Sequence, residues 1–309
     1  MNEEMNKNSV HIPVLLNEVL SLLNPRNGSI YIDGTMGGGG HTEKIAEKVL
    51  PDGLVISMDC DLNAVNRTEK RLRQVFINCT GKNFPIRFVH ANYRFFAETL
   101  DQLNIPEIDG FLLDLGLSSD QLAEKSRGFS FDSDGTLDMR FDDSEGETAA
   151  DLLFRLKEEK IADIIYEYGE EKYSRKIAKQ IAERRRKEQP VKTAGELAEL
   201  VRKCVPREHR HRTIGIDPAT RTFQALRIAV NDELGSLKYV LENAFKRLKT
   251  GGVFAVISFH SLEDRIVKNV FRDSQRWNVI TKKPITATEE EIKRNPRARS
   301  AKLRAAEKI

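Results

Sequence analysis

The stretch Asp33-Gly34-Thr35-Met36-Gly37-Gly38-Gly39-Gly40-His41 is the part of the chain whose composition points most directly to chemistry. Consecutive glycines let a backbone turn tightly and approach a ligand closely. A helix starting just beyond them offers its free N–H groups to a carboxylate or phosphate. The stretch does not make a strict G-x-G-x-x-G dinucleotide fingerprint. After Gly37 and Gly39 the third glycine position falls on Thr42, and that glycine is needed for close helix packing. About 20 residues beyond the glycines stands Asp59, placed to hold the ribose hydroxyls of a nucleoside cofactor. Asp61 reads better as the cap of the next helix. Tyr93 could lie against a base or simply pack at a helix start. Asp114 closes a further apolar run, so Asp33, Asp59 and Asp114 each end a strand candidate.

These residues need a scaffold, and the pattern supplies one. Ser29 to Asp33, Leu54 to Asp59, Ile86 to His90 and Gly110 to Leu115 read as strands. Helical patterns over Thr42 to Leu50, Leu62 to Phe76 and Tyr93 to Leu103 separate them. Strands alternating with helices of this length predict a parallel sheet of βαβ units, which binds ligands at the carboxyl ends of its strands. The rhythm breaks at Ser118 to Gly146, a polar loop long enough to suggest function. Helical patterns then cover Lys157 to Tyr168, Glu171 to Glu188 and Ala194 to Val205. After Asp217-Pro218 come helices over Pro218 to Leu234 and Ser236 to Leu248, a strand over Val253 to Phe259 and a helix over Ser261 to Phe271. A last strand is expected within Arg299 to Glu307. The reading is an open α/β sheet with a helical domain inserted between its fourth and fifth strands.

The chain has 309 residues, 39% hydrophobic and 31% charged, as in a globular protein. It has neither an apolar run of membrane-spanning length nor an N-terminal hydrophobic region, so a cytoplasmic protein with no membrane partner is expected. Its three cysteines, Cys60, Cys79 and Cys204, form no CxxC, so neither a disulfide framework nor a metal site is expected. The net charge of +3 conceals local imbalance. Leu115 to Ala150 holds 3 basic and 9 acidic residues, Asp151 to Thr213 holds 17 and 12, and Lys282 to the end holds 9 and 4. An acidic loop is thus followed by a basic insert and a basic tail.

Taken together, the segments HIPVLLNEVL (His11 to Leu20), YIDGTMGGGGH (Tyr31 to His41), LDLGLSSDQL (Leu113 to Leu122), RGFSF (Arg127 to Phe131), LDMR (Leu137 to Arg140), PATRTFQALRIAVN (Pro218 to Asn231), SFHSLEDRIVK (Ser258 to Lys268) and NPRARSAKLR (Asn295 to Arg304) resemble the bacterial ribosomal RNA small-subunit methyltransferase H family, also called MraW. The resemblance runs nearly end to end and in the family's order. It implies a Rossmann-like S-adenosylmethionine-dependent methyltransferase sheet with an inserted all-helical domain: residues 1–122 and 217–309 for the sheet, 123–216 for the insert. It also implies methyl transfer from S-adenosylmethionine to the N4 amine of a cytidine in 16S rRNA of the small ribosomal subunit, near the P site, and leaves room for a homodimer. Cofactor contacts would then fall on Gly39, Gly40, His41, Asp59, Tyr93, Asp114 and Gln121. Unaided, His41 reads only as a helix N-terminal residue and Gln121 as a loop residue. The departures are mild: Gly38 stands where relatives often carry a bulkier residue, and Tyr93 replaces a common Phe. A ribosome-assembly factor that keeps the fold without catalysis shares the same motifs.

Methylating an exocyclic cytosine amine requires an acceptor for its N–H groups, because its lone pair is delocalised into the ring. Asp114 occupies the position where amine methyltransferases carry an Asp/Asn/Ser-Pro-Pro-aromatic tetrapeptide, though the prolines and the aromatic are absent. Asp138 is a second candidate acceptor, His260 a candidate proton relay and Arg140 a candidate phosphate clamp. Phe129 and Phe131 could stack on a base drawn out of the RNA or anchor a lid. Arg184, Arg185, Arg186 and Lys187, with Arg207, Arg210 and Arg212, and then Arg297, Arg299 and Arg304, are the candidate phosphate contacts. A basic run on a helix can equally be a solvated face.

Overall fold

The computed structural model describes residues 12–79, 84–131, 135–206 and 217–309. The β-branched and apolar runs form strands β1 (Ile30–Asp33), β2 (Leu54–Asp59), β3 (Ile86–His90), β4 (Ile108–Asp114), β5 (Leu248–Ser258), β6 (Trp277–Val279) and β7 (Lys302–Lys308). They make one sheet in the order β3-β2-β1-β4-β5-β7-β6. The first five are parallel neighbours, and β7 runs antiparallel between β5 and β6. Strand order reverses between β1 and β4, and in an open sheet such a switch point opens a crevice at the carboxyl ends. Asp33 and Asp114 close those two strands, with Asp33 in register with Leu112.

A compact unit reaching to Gly116 and resuming over Leu237–Ile309 contains this sheet. Its connecting helices are α1 (Leu16–Leu23), α2 (Gly40–Val49), α3 (Leu62–Val75) and α4 (Phe96–Gln102), the last preceded by a 3-10 turn over Tyr93–Phe95. After β5 come α12 (Ser261–Phe271) and α13 (Glu289–Arg294). Parallel strands are covered on both faces, and two apolar clusters result. One gathers Ile32, Ile56, Phe96, Phe111, Phe254 and Trp277; the other gathers Val19, Ile45, Val55, Leu112, Ile257 and Leu303. Phe111 stacks on Phe254 with ring centroids 4.8 Å apart, which ties β4 to β5 behind the switch point.

The second compact unit is Leu117–Ser236. It consists of α5 (Ser119–Ala123), α6 (Ala149–Arg155), α7 (Glu158–Gly169), α8 (Ser174–Arg186), α9 (Ala194–Cys204), α10 (Thr220–Asn231) and the first turn of α11 (Glu233–Arg247). Thr148 with Asp151, and Thr193 with Glu196, make reciprocal capping boxes that start α6 and α9. Leu137, Met139, Ile161, Ile165, Leu197, Phe223 and Leu226 share its core.

The boundaries differ from the expected 123–216. Leu117 to Leu122 fall in the helical unit, and so does α10, which the pattern assigns to the sheet domain's second segment. Alpha10 packs instead on α7, because Phe223 and Leu226 turn an apolar face into the helical core. The elements the sequence reading leaves out are short: α1, α5, β6 and α13. Among the described residues, no helix is long and apolar enough to cross a membrane.

Candidate active site

The glycine turn connects β1 to α2 and is held by backbone and side chain alike. The Gly34 N–H donates to the Leu112 carbonyl (2.9 Å), the Met36 N–H to Met58 (2.9 Å) and the Gly39 N–H back to Met36 (2.7 Å). Gly37 and Gly39 have φ of 48° and 76°, a region that side-chain-bearing residues enter only with strain. A Cβ on Gly39 would lie 2.4 Å from the Thr68 methyl, so the turn also needs glycine for space. From α3, the Thr68 hydroxyl donates to the Gly37 carbonyl (2.7 Å), and the Arg71 guanidinium donates to that of Gly38 (2.9 Å).

Asp59, at the end of β2, ties this turn to the next helix. One oxygen accepts the Gly37 N–H (2.8 Å) and the other the Asp61 N–H (2.9 Å). Asp61 itself caps α3, accepting from Asn63 and Ala64, as its position beyond the strand implies.

Asp33 lies beneath the turn and is buried. It accepts the Thr42 hydroxyl (2.6 Å) and the Thr35 N–H (3.3 Å), and Thr42 in turn meets the Ser57 hydroxyl at 2.7 Å. Burial pushes the Asp33 carboxyl up to about 6. The bonds from Thr42 and Thr35 oppose this, and the Asp59 charge adds to it. Thr42, which breaks the dinucleotide fingerprint, is therefore the partner of a buried carboxyl.

Asp114 closes β4. Its N–H donates to the Thr35 hydroxyl (2.6 Å), and its carboxyl oxygen Oδ1 is buried with no hydrogen-bond partner. Burial raises its pKa well above the ordinary carboxylate range. The Asp33 and Glu263 charges raise it further, and Arg297 opposes them. The other oxygen, Oδ2, lies 3.8 Å from His41 Nδ1. His41 sits in the first turn of α2, buried, with Nε2 3.0 Å from the Val14 carbonyl. Tyr93 stands in the 3-10 turn after β3; its Cβ lies 3.0 Å from where a Cβ on Gly34 would be. The sheet unit thus gathers Gly39, Gly40, His41, Asp59, Tyr93 and Asp114 at one end of the sheet.

Gln121 belongs to the helical unit. It forms a capping box with Ser118 at the start of α5, accepting the Ser118 N–H with its side chain and donating its own N–H to the Ser118 hydroxyl.

In the same unit the LDMR segment folds on itself. The Arg140 guanidinium pairs with both Asp138 oxygens, Nε and Nη2 each at 2.8 Å, and the Arg140 N–H donates to Asp138 as well (3.0 Å). This pairing and the nearby Arg127 charge outweigh burial and hold the Asp138 carboxyl below the usual range. The segment's backbone is pinned from two sides. Arg127 donates to the carbonyls of Arg140 and Phe141 (2.7 Å each). Asn231 donates to the Met139 carbonyl (2.8 Å) and accepts the Phe141 N–H (2.7 Å). Met139, buried between them, has φ of 65°. Arg127 and Asn231 were not singled out as site residues, although both lie in quoted motifs. Phe129 is buried and tilts against Phe141; Phe131 packs edge-on to Phe223. Both rings anchor the loop.

His260 caps α12 in the sheet unit. Its Nδ1 accepts the Glu263 N–H (3.4 Å), and its Nε2 lies 3.1 Å from Glu263 Oε1. The Phe259 and His260 N–H groups donate to Glu263 Oε2 at 2.9 and 3.3 Å. Both ring nitrogens face one glutamate, which gives the histidine a capping role.

The candidate phosphate contacts divide. Arg185 donates to the carbonyls of Leu153, Phe154 and Leu156 at the end of α6. Arg184 bonds the Gln189 carbonyl and pairs with Glu196, and Arg304 pairs with Asp264 at 2.6 Å. Arg186 pairs with Glu158 at 3.5 Å yet stays exposed, as do Lys187 and Arg299. Arg297 acts on the Asp114 charge. Arg207, Arg210 and Arg212, like His11, lie outside the described residues.

A glycine turn opening a helix, a strand-end carboxylate on that turn and a buried acceptor at the switch point suit S-adenosylmethionine. Asp114 Oδ1 lacks a donor, and the turn has no room for side chains. The fold and this site define an α/β methyltransferase that uses S-adenosylmethionine. The chain matches the MraW methylase family over residues 8–309 and belongs to it. It is 46% identical over 318 residues to "Ribosomal RNA small subunit methyltransferase H" of Pelobacter propionicus, covering 97% of this chain and 98% of that one. The protein of the same description in Rhodopirellula baltica is 48% identical, with 97% and 91% covered. Among solved structures, an rRNA methylase from Streptococcus thermophilus aligns at 12% identity and a TM-score of 0.43, over 95% of this chain and 93% of that one.

Proposed function

We propose that the protein methylates the N4 amine of one cytidine in 16S rRNA, near the P site of the small ribosomal subunit. The observation that carries this reading is the buried, unpartnered Asp114 Oδ1 at the end of β4. Bound S-adenosylmethionine supplies an electrophilic methyl group on a sulfonium. Gly39, Gly40, His41, Asp59 and Tyr93 hold that cofactor. Asp114 Oδ1 accepts an N–H of the incoming amine. That contact localises the nitrogen lone pair and stabilises the positive charge as the N–C bond forms. The proton shed by the nitrogen passes to the Asp114 carboxylate.

Asp138 and Arg140 act as one rigid pair, pinned by Arg127 and Asn231. His260 positions the start of α12. Arg186, Lys187 and Arg299 contact RNA phosphates, and Arg184 and Arg185 stabilise the helical unit instead. The family match and the relatives named for rRNA methylation support an RNA substrate.

The test is incubation with small ribosomal subunits from a strain lacking this methylation and methyl-labelled S-adenosylmethionine, followed by nuclease digestion and mass spectrometry. Label on a single cytidine N4 is expected. Label on a ring carbon or a ribose would refute the amine chemistry. A protein that binds the cofactor but leaves subunits, precursor particles and naked rRNA unlabelled would be an assembly factor.

A further inference from the structure

We propose that His41 is a positioning residue for Asp114, fixed in one tautomer by the Val14 carbonyl, and that Glu291 and Asn295 near the C-terminus hold the segment bearing that carbonyl. The inference rests on the reading of Asp114 as the acceptor that faces the ligands.

A carbonyl oxygen can only accept, so His41 Nε2, 3.0 Å from Val14 O, carries a hydrogen. Nδ1 of the neutral ring then carries a lone pair and lies 3.8 Å from Asp114 Oδ2. The charged groups acting on Asp114 are Asp33, Glu263 and Arg297, and the first two favour its protonated form. Oδ2 is the carboxyl oxygen beside the ring, and the partnerless Oδ1 is left to accept a ligand N–H. His41 thus decides which oxygen is offered.

The ring is held in turn by residues far away in sequence. Pro13 packs on Gly40, where an added Cβ would meet the proline ring at 3.0 Å. Leu15 is buried with φ of 53°, a strained backbone that needs an external hold. Its N–H donates to Glu291 Oε1 at 2.7 Å, and Asn295 donates to the Ile12 carbonyl at 3.0 Å. The segment from Ile12 to Leu15 is a strap over the glycine turn, fastened by α13 and the residue after it. This gives a role to the first and last quoted motifs, which the cofactor contacts leave unused.

The test is long-range proton–nitrogen NMR on the full chain with 15N-labelled histidine. The chain has six histidines, and His41 is assigned by its absence in His41→Gln. The expected spectrum shows His41 as the Nε2–H tautomer when neutral. Asp114→Asn, which removes the acidic partner, should move the His41 titration to lower pH. Asn295→Ala and Glu291→Ala should give mixed tautomers and at least a tenfold rise in the Kd for S-adenosylmethionine. Glu291→Gln keeps an acceptor for the Leu15 N–H and should restore the wild-type spectrum. Fluorescence of Trp277 checks folding, and Asn295→Ala stands in if Glu291→Ala unfolds. An Nδ1–H tautomer, or a titration unmoved by Asp114→Asn, would overturn the proposal. Failure of methyl transfer to the ribosomal particle with these spectra intact would overturn only the functional reading.

Discussion

Replacing Asp33 by Asn isolates the effect of one buried carboxyl. In the folded chain this group titrates near 6, against an ordinary value of 3.8, chiefly because burial disfavours its charge. The gap corresponds to about 3 kcal/mol at ~1.36 kcal/mol per pH unit. The folded state binds the proton more tightly than the unfolded chain. Asp33 therefore contributes this stability in full below pH 3.8 and loses it as pH rises through about 6. At neutral pH the ionised carboxylate is a net cost. The carboxamide never ionises and escapes that cost, but its NH2 replaces one acceptor, so the Thr42 or the Thr35 bond is lost at about 1 kcal/mol. That offset changes little with pH. The stability of the variant relative to wild type should rise by about 2.4 kcal/mol between pH 4 and pH 7, giving a net gain of about 2 kcal/mol at neutrality. Urea unfolding followed by Trp277 suits the measurement, since this sole tryptophan is buried in the core of the sheet unit that holds Asp33. A difference that stays flat to within about 0.5 kcal/mol across this range would show that Asp33 carries no desolvation penalty.

Asp59→Ala removes the acceptor of the Gly37 and Asp61 N–H groups, and calorimetry should show the affinity for S-adenosylmethionine falling by about 1.5–3 kcal/mol. An unchanged affinity would remove Asp59 from the site. Gly39→Ala should lower thermal stability more than Gly28→Ala. Both have φ near 77°, so both pay backbone strain, but only Gly39 also meets a neighbour, the Thr68 methyl at 2.4 Å; equal losses would mean that the contact relaxes away. Asn231→Ala should cut methyl transfer at least tenfold while leaving cofactor affinity within a factor of two, because it frees the LDMR backbone rather than the glycine turn. Loss of cofactor binding would contradict that separation. Arg185→Ala should cost about 1–2 kcal/mol in denaturant unfolding, since it leaves the last carbonyls of α6 without their donor. Arg299→Ala should leave stability unchanged and weaken particle binding at low salt only. The opposite pattern would exchange their roles.

Local chemistry wrote much of this protein into its sequence. Strand β2 from Leu54 to Asp59, β3 from Ile86 to His90 and helix α12 from Ser261 to Phe271 fall where periodicity and turn residues place them. The glycine turn was legible because only glycine suits its backbone, and Asp59 because the strand before it is short and well bounded. Short elements were not legible, since β6 has three residues and α13 six, too few to show a period. Nor could the sequence tell an arginine for a phosphate from one for a carbonyl. Arg185 and Lys187 stand two apart in one basic run, yet helix geometry turns Arg185 onto the end of α6 and Lys187 to solvent. The domain boundary followed the same logic, because α10 joins whichever core its apolar face meets. Tertiary structure alone decided the surroundings of Asp114. Its unpartnered oxygen, the ring of His41 and the strap fastened by Glu291 and Asn295 come from segments up to 283 residues apart, which no local pattern can connect.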